Sequence, residues 1–99
     1  MTNRKIRWDA AAIYYFNKAI EYIALDSVQN AEKVRLEILE KIGKLSDHPE
    51  MHAPDKYKQE NDKNYRAFEL YHYRISYYVS VNEIRILRVR HTSQEPKNY

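Results

Sequence analysis

The segment HYRISYYVSV, residues 72–81, decides the fold because its residues alternate with a period of two. An alternation of this kind is typical of a β-strand that lies with one face against a core. We expect the following side chains to be buried on one face: Tyr73, Ile75, Tyr77, Val79 and Val81. The opposite face then carries Arg74 on the central strand.

Two further strands flank this segment. RAFEL, residues 66–70, precedes it, and EIRILRV, residues 83–89, follows it. Tight turns are predicted near residues 71–72 and 82–83, and such short connections join antiparallel neighbours. The C-terminal part of the chain therefore predicts a three-stranded antiparallel meander.

The N-terminal part predicts a short strand and a first helix. KIRW, residues 5–8, is interpreted as an edge strand, and Asp9 after it is a favourable helix N-cap. Small and apolar residues then recur at the spacing of an amphipathic helix. The predicted packing stripe consists of Ala12, Ile13, Phe16, Ala19, Ile20 and Ile23.

A second helix is predicted to begin after Ser27, which is another favourable capping residue. Because about two residues separate the helices, they must form an antiparallel hairpin. Gly43 and Pro49 lie where this helix should end. Its predicted buried stripe consists of Val28, Ala31, Val34, Ile38, Ile42 and Leu45.

Residues 46–64 carry two prolines, many charges and no apolar period, and they predict a long loop. Loops of this length are usually functional or mobile, and the sequence does not choose between the two. His48 and His52 lie in this loop, but Pro49 interrupts any helix that would align them as metal ligands. We therefore expect no metal site and no cofactor.

Length and composition predict one globular domain, residues 1–99. The chain has 99 residues, of which 43% are hydrophobic and 31% charged, and it has no cysteine, so disulfides and thiolate zinc sites are excluded. No apolar run approaches the length of a membrane span, and the first residues lack the pattern of a signal peptide. We expect a cytoplasmic protein without membrane contact.

Positive charge is concentrated at the C-terminal end of the chain. Residues 65–99 contain six Lys and Arg residues against three Asp and Glu residues, and five of the six cations are arginine. The planar guanidinium group suits phosphate, carboxylate and stacked bases. Cations that only keep the strand faces soluble are the alternative explanation.

The order of these elements, together with YRISYYVSVNEIRILRVRH at residues 73–91, resembles the RelE/ParE superfamily of toxins from bacterial type II toxin–antitoxin modules. The ending LRVRH, residues 87–91, is most similar to the ParE-like and plasmid-stabilisation branch. The resemblance covers nearly the whole chain. It implies an α+β fold in which a short N-terminal strand and an antiparallel helical hairpin precede a three-stranded meander, whose curled sheet packs on the helices.

The resemblance implies two activities. RelE-like members cut messenger RNA on the ribosome, and on that hypothesis Arg74 and His91 are the catalytic candidates, because cleavage needs fixed cations and a group that titrates near neutral pH. Arg88 or Arg90 would add a second cation, and Glu69 or Tyr99 a second proton carrier.

ParE-like members instead inhibit DNA gyrase without a hydrolytic site, and we prefer this alternative because the chain shows no clear acid–base pair. The candidate contact residues are then Arg74, Arg85, Arg88, Arg90, His91, Tyr78 and Tyr99, with Tyr71 as a further aromatic candidate. A non-toxic member that only binds an antitoxin is a third hypothesis. Arg74 also has a structural explanation, a cross-strand pair with Glu69 or Glu83.

The expected partner is a cognate antitoxin in a heteromeric complex. A sheet that packs on only two helices leaves apolar surface and a strand edge, which an antitoxin helix or strand can cover. DNA gyrase, or the ribosome with its messenger RNA, is the expected target.

Overall fold

The computed structural model describes residues 3–94 and 98–99. Helices and strands follow each other in the predicted order. Their bounds are β1 Lys5–Trp8, α1 Ala10–Ala24, α2 Val28–Gly43, a 3-10 turn Lys44–Ser46, β2 Tyr65–Leu70, β3 Tyr73–Val79 and β4 Glu83–His91. The predicted α+β architecture, with a helical hairpin before a three-stranded meander, is confirmed.

The four strands form one open sheet in the order β1-β4-β3-β2, which corrects the expectation of a curled sheet. The pairs β2–β3 and β3–β4 are antiparallel, whereas β1 runs parallel to β4, with Ile6 opposite Ile84. A parallel pair needs a long crossover connection, and the helical hairpin is the first part of it. The hairpin packs on one face of the sheet, called the inner face below, and the other face is called the outer face.

The core lies between the hairpin and the inner face. It combines Ala12 and Phe16 of α1 with one stripe of α2 and with the side chains of β2, β3 and β4 that point to the inner face. Its largest fully buried side chains are Tyr77, Ile38, Leu45, Ile75, Ile84, Ile86 and Val34. Tyr77 keeps its hydroxyl satisfied by donating to the carbonyl oxygen of Pro49 at 3.1 Å, and burial raises its pKa to about 12.

Three residues predicted to lie in the core are exposed instead. Ile13 is 46% exposed because α1 turns the neighbouring line of Ala12 and Phe16 toward the sheet. Val28 is 73% exposed because it begins α2 next to the hairpin turn, and Val81 is 82% exposed because it lies in the β3–β4 turn beyond the last residue of β3.

A β-bulge in β4 changes which side chains share a face. Ser76 pairs with Arg88 and Tyr77 pairs with Ile86, so Leu87 is an extra residue without a partner on β3. Before the bulge Ile84 and Ile86 are buried, whereas after it Val89 is buried. A bulge inserts one residue and so reverses the alternation, which turns Arg88 to the outer face.

The loop after the 3-10 turn covers the outer edge of β2. The Ala67 N–H donates to the carbonyl oxygen of Ala53 at 3.3 Å, and the Asp55 N–H donates to that of Tyr65 at 2.7 Å. Pro54 forms a bridge with Arg66 between these two bonds. The strand edge that we expected an antitoxin to cover is therefore partly covered by the chain itself on this side of the sheet.

The two helix N-caps differ, although both were predicted from residue type. The Ser27 hydroxyl accepts a hydrogen bond from the Asn30 N–H at 3.0 Å. Asp9 has the extended backbone of an N-cap, but its carboxylate makes no capping bond and lies 3.4 Å from Nε of Arg85. Only the second helix is capped by a side chain.

Ser27→Ala should therefore destabilise the protein more than Asp9→Ala. We expect Ser27→Ala to lower the free energy of unfolding by about 1 kcal/mol, the usual effect of losing a capping bond. Asp9→Ala removes an ion pair between half-exposed side chains and should cost about 0.5 kcal/mol or less. Urea unfolding of both variants measures the difference, and equal losses would contradict the assignment of the caps.

Candidate functional site on the outer face

A buried carboxylate organises the outer face. The Asp55 side chain is 0% exposed, although the residue lies in the polar loop between α2 and β2. Its Oδ1 accepts from Nη2 of Arg74 at 2.8 Å and from the Tyr57 N–H at 3.1 Å. Its Oδ2 accepts from the Tyr99 hydroxyl at 2.5 Å. The carboxylate therefore joins the loop, the central strand and the last residue of the chain.

Arg74 is held between two carboxylates. Its Nη1 donates to Oε2 of Glu69 on β2 at 2.8 Å, in addition to the bond from Nη2 to Asp55. The Arg74 side chain is 10% exposed, and the Glu69 side chain is 50% exposed. The predicted cross-strand pair with Glu69 is present, and most of the guanidinium group is enclosed by the protein.

The hydrogen bonds of Asp55 decide its protonation state. Burial alone would raise the pKa of its carboxyl group, but hydrogen bonds from Tyr99, Arg74, the Tyr57 N–H and Ser76 outweigh burial and hold the pKa below its usual range. The pKa of Tyr99 is raised, first by burial and then by its bond to Asp55. Asp55 is therefore a carboxylate at neutral pH, and Tyr99 keeps its proton.

Cations cover the aromatic rings of this face. The guanidinium carbon of Arg88 lies 4.4 Å from the ring centroid of Tyr99, and that of Arg90 lies 5.2 Å from the centroid of Tyr57. Nζ of Lys58 lies 4.6 Å from the centroid of Tyr65. Such contacts are worth about 0.5–2 kcal/mol each, and here they hold long basic side chains against the sheet.

Most of the predicted contact residues share the outer face. Arg74, Arg88, Arg90 and Tyr99 lie together around Asp55 and Tyr57. The Tyr78 ring packs against the Tyr65 ring at a tilt of 50°, with ring centroids 4.5 Å apart. Arg85 lies opposite Tyr78 in the sheet register, at the other end of β4 from Arg88 and Arg90. Its guanidinium group forms ion pairs with the carboxylates of Asp9 and Glu83.

His91 does not join this group, which corrects the expectation of one basic cluster at the end of β4. Its backbone partner is Tyr73, a core residue of the inner face, and its ring lies edge-on to the Tyr73 ring with centroids 5.1 Å apart. The reason is the bulge, because it sets Arg88 and Arg90 on the outer face and turns the next residue inward.

Asp55 and Tyr57 were missed by reasoning from sequence. Both lie in a loop without periodicity, and nothing in the residue types distinguishes Asp55 from the other acids nearby. The one available signal was Pro54, since proline fixes its own φ, restricts the preceding residue to the extended form and is tolerated at the edge of a sheet.

Of the two loop histidines, His52 is partly buried and packs against the core, whereas His48 is exposed. The ring of His52 packs on Phe68 with centroids 4.8 Å apart, and burial, followed by the charge of Lys41, lowers its pKa. Within residues 3–94 and 98–99, no group of three or more metal-ligating side chains is placed to hold an ion. In the same part of the chain, neither helix has the length and apolar character needed to cross a membrane.

A second surface feature is a groove between α1 and the end of β4. Three cavities of about 370, 350 and 600 Å³ adjoin there. The first two share Tyr15 and Arg90, and the last two share Tyr22 and His91. Tyr71, in the β2–β3 turn, closes the far end. We call this feature the α1–β4 groove.

Residues 6–96 match the family described as the ParE toxin of the type II toxin-antitoxin system, parDE. The chain belongs to the ParE toxin family. The matched range includes both helices, strands β2 to β4 and most of β1, whereas Tyr99 of the outer face lies outside it. The predicted ParE-like identity is confirmed.

A solved structure supports the same fold for this ParE-family chain. It is described as the chromosomal ParDE TA system from P. aeruginosa, and a chain of it is similar with a TM-score of 0.68 and 20% sequence identity. The match covers 89% of this chain and 95% of that chain. A comparison with curated protein sequences gives no match.

Asp55→Asn should lower the free energy of unfolding near pH 7 and reduce the further loss of that free energy at acid pH. Arg74 then keeps only Glu69 as a charged partner, so we expect the free energy of unfolding near pH 7 to fall by about 3 kcal/mol, the lower end for a broken buried ion pair. Asp26→Asn, which changes an exposed carboxylate, should alter it by about 0.5 kcal/mol or less.

The acid response follows from the lowered pKa of Asp55. The unfolded chain binds this proton more tightly, so the contribution of Asp55 is fully present above the unfolded carboxyl pKa of about 4 and is lost as the pH falls through the lower folded pKa. Urea unfolding across this range should show a smaller acid-induced loss for Asp55→Asn than for the unchanged protein. Equal losses would show that Asp55 is not the titrating group.

Proposed function

We propose that this ParE-family toxin inhibits DNA gyrase by binding it, and that a cognate antitoxin neutralises the toxin in a heteromeric complex. Membership of the ParE toxin family supports the first part, because the resemblance to ParE-like proteins implies gyrase as the target. The ParDE toxin–antitoxin family context supports the second part.

The observation that carries the proposal is the separation of Arg74 from His91. Arg74 lies on the outer face, where two carboxylates hold its guanidinium group, whereas His91 packs on Tyr73 at the inner face. Two side chains on opposite faces of one sheet do not act on the same phosphate. This arrangement favours a binding toxin over a ribonuclease that uses this pair.

The outer face has the chemistry of a contact surface. The guanidinium groups of Arg88 and Arg90 lie over tyrosine rings. Lys56 and Lys58 of the neighbouring loop also lie over tyrosine rings of this face. Arginine presents a planar set of donors to phosphate or carboxylate, and the neighbouring tyrosines limit the entropy lost when it binds. We assign the gyrase contact to this face.

The α1–β4 groove is the proposed antitoxin site. It presents large apolar and aromatic side chains that are exposed in the chain alone, with Tyr22 71% and Leu25 85% exposed. Lys18 and Arg90 add positive charge along its wall. An amphipathic antitoxin segment with an apolar face and acidic flanks complements both properties.

Induction of the chain without an antitoxin in a bacterial host tests the target. We expect loss of plasmid supercoiling and a DNA-damage response while transcripts on ribosomes stay intact. Arg90→Ala should weaken inhibition of purified gyrase about tenfold, the effect of losing one interfacial arginine contact. Arg35→Ala is the matched control, because Arg35 lies on α2 and pairs with Glu32 at 2.6 Å, and it should inhibit normally.

Other outcomes of this experiment are equally informative. Cleavage of translated messages with normal supercoiling would replace gyrase with the ribosome as the target. Unimpaired growth, with normal antitoxin binding, would leave only the non-toxic antitoxin-binding member.

Tyr15→Ala and Tyr14→Ala test the antitoxin site as a matched pair. Both tyrosines are 55% exposed on α1, but only Tyr15 lines the α1–β4 groove. Tyr15→Ala should weaken antitoxin binding about tenfold because a tyrosine anchor is lost, and Tyr14→Ala should leave the affinity within about twofold. Calorimetric titration with the antitoxin measures both, and equal effects would place the antitoxin elsewhere.

A further inference from the structure

Tyr99 lies in a slot on the outer face that is built like a site for a planar ring. The Arg88 guanidinium group covers the ring at 4.4 Å from its centroid, and Tyr65 meets it edge-on at 6.3 Å between centroids. At the bottom of the slot, the buried carboxylate of Asp55 accepts the hydrogen bond of the hydroxyl group. A stacking cation, an aromatic wall and one directed acceptor are the usual elements of nucleobase recognition.

Two backbone hydrogen bonds attach Tyr99 to the loop between α2 and β2. Its N–H donates to the carbonyl oxygen of Tyr57 at 2.9 Å, and its carbonyl oxygen accepts from the Gln59 N–H at 2.6 Å. Tyr99 belongs to no helix or strand, and it is not part of the hydrophobic core. The walls of the slot come from β2, β4 and the loop. Sheet pairing holds the two strands, and the bond from the Asp55 N–H to the carbonyl oxygen of Tyr65 holds the loop at Asp55 independently of Tyr99.

An empty slot would remove one of the four hydrogen-bond donors of the Asp55 carboxylate. Oδ1 would keep Arg74 and the Tyr57 N–H, and Ser76 also donates to the carboxylate, but Oδ2 would lose the Tyr99 hydroxyl at 2.5 Å. Losing a donor to a buried carboxylate is costly. A ligand that replaces Tyr99 must therefore present a donor where the phenol presents its hydroxyl.

Cytosine meets this requirement and uracil does not. In tyrosine the hydroxyl lies across a six-membered ring from the atom that joins the backbone. In cytidine the N4 amino group lies across the six-membered ring from the nitrogen that joins the sugar, and it donates hydrogen bonds. Uracil and thymine carry the acceptor O4 at this position, which would face the Asp55 carboxylate. Purines exceed the single ring that now fills the slot.

We propose that this slot is a cytosine-binding site that Tyr99 occupies as an internal ligand. Arg88 stacks on the base, Asp55 accepts from its amino group, and Lys58, whose Nζ lies 5.5 Å from the Tyr99 ring centroid, is placed to meet the attached phosphate. The base belongs to a free cytidine nucleotide or to an unpaired cytosine in a nucleic acid strand. Tyr99 must leave before either can bind.

Calorimetric titration of Tyr99→Ala with CMP and UMP tests the site. We expect this variant to bind CMP at least tenfold more tightly than UMP, and at least tenfold more tightly than the unchanged protein binds CMP. Tyr14→Ala, which removes a tyrosine from α1, should bind CMP no better than the unchanged protein. Equal affinity of Tyr99→Ala for CMP and UMP, or no gain over the unchanged protein, would overturn the proposal.

Two further arms complete the experiment. Titration of Tyr99→Ala with short oligo(dC) and oligo(dT) separates the ligand sources: tighter binding of oligo(dC) than of CMP indicates a strand, and similar binding indicates a free nucleotide. If Tyr99→Ala does not fold, the unchanged protein is titrated with CMP at millimolar concentrations and observed by NMR. The ring resonances of Tyr99 should then shift with CMP and not with UMP, and unchanged resonances would refute the site.

The cytosine site and gyrase inhibition can fail separately. A protein that inhibits gyrase but shows no preference for CMP over UMP in these titrations loses the cytosine site and keeps the proposed function. The reverse result keeps the site and requires another target.

Discussion

The buried ion pair between Arg74 and Asp55 is the charged contact that joins distant parts of the chain on the outer face. Asp55 comes from the loop, Arg74 from the central strand, and Tyr99 joins them from the end of the sequence. Burying two charges costs several kcal/mol for each ion unless hydrogen bonds replace the lost water. Here Asp55 has four donors, counting Ser76, and Arg74 has a second carboxylate in Glu69. This ion pair therefore fixes the loop over the sheet, and removing either partner would leave a buried charge without its counter-ion.

The bulge at Leu87 then determines what the two faces of the sheet contain. In a regular strand Arg88 would lie on the same face as Ile84 and Ile86, against the hydrophobic core. The extra residue moves it to the face that already carries Arg74, and it sends His91 toward the helices. One inserted residue thus separates the cations of the outer face from the only histidine of β4.

The outer face and the α1–β4 groove meet at Arg90. Its guanidinium group covers Tyr57 on the outer face, and the same residue lines two of the three cavities of the groove. Leu87 and Arg88 also line the groove near the bulge. In this member of the ParE toxin family, a ligand bound at the outer face therefore contacts Arg90, which also lines the α1–β4 groove. The two surfaces share this residue.

The sequence by itself determined the elements and their order. The period of two in residues 72–81, the two helical stripes and the Ser27 cap all follow from local spacing and residue type, and a meander packed on a helical hairpin follows from them. Arg74 on the outer face was predictable for the same reason. Local patterns are set by short-range geometry, and a sequence displays them directly.

The tertiary structure alone decided the composition of the site. Asp55 and Tyr57 lie in a loop without periodicity. Only the folded chain shows that Asp55 reaches Arg74 across 19 residues of sequence and that the Tyr57 ring lies against the same guanidinium group. The parallel pairing of β1 with β4 and the bulge at Leu87 also depend on distant neighbours. Burial of a charge is decided by everything that packs around it, and residue types along the chain do not record those neighbours.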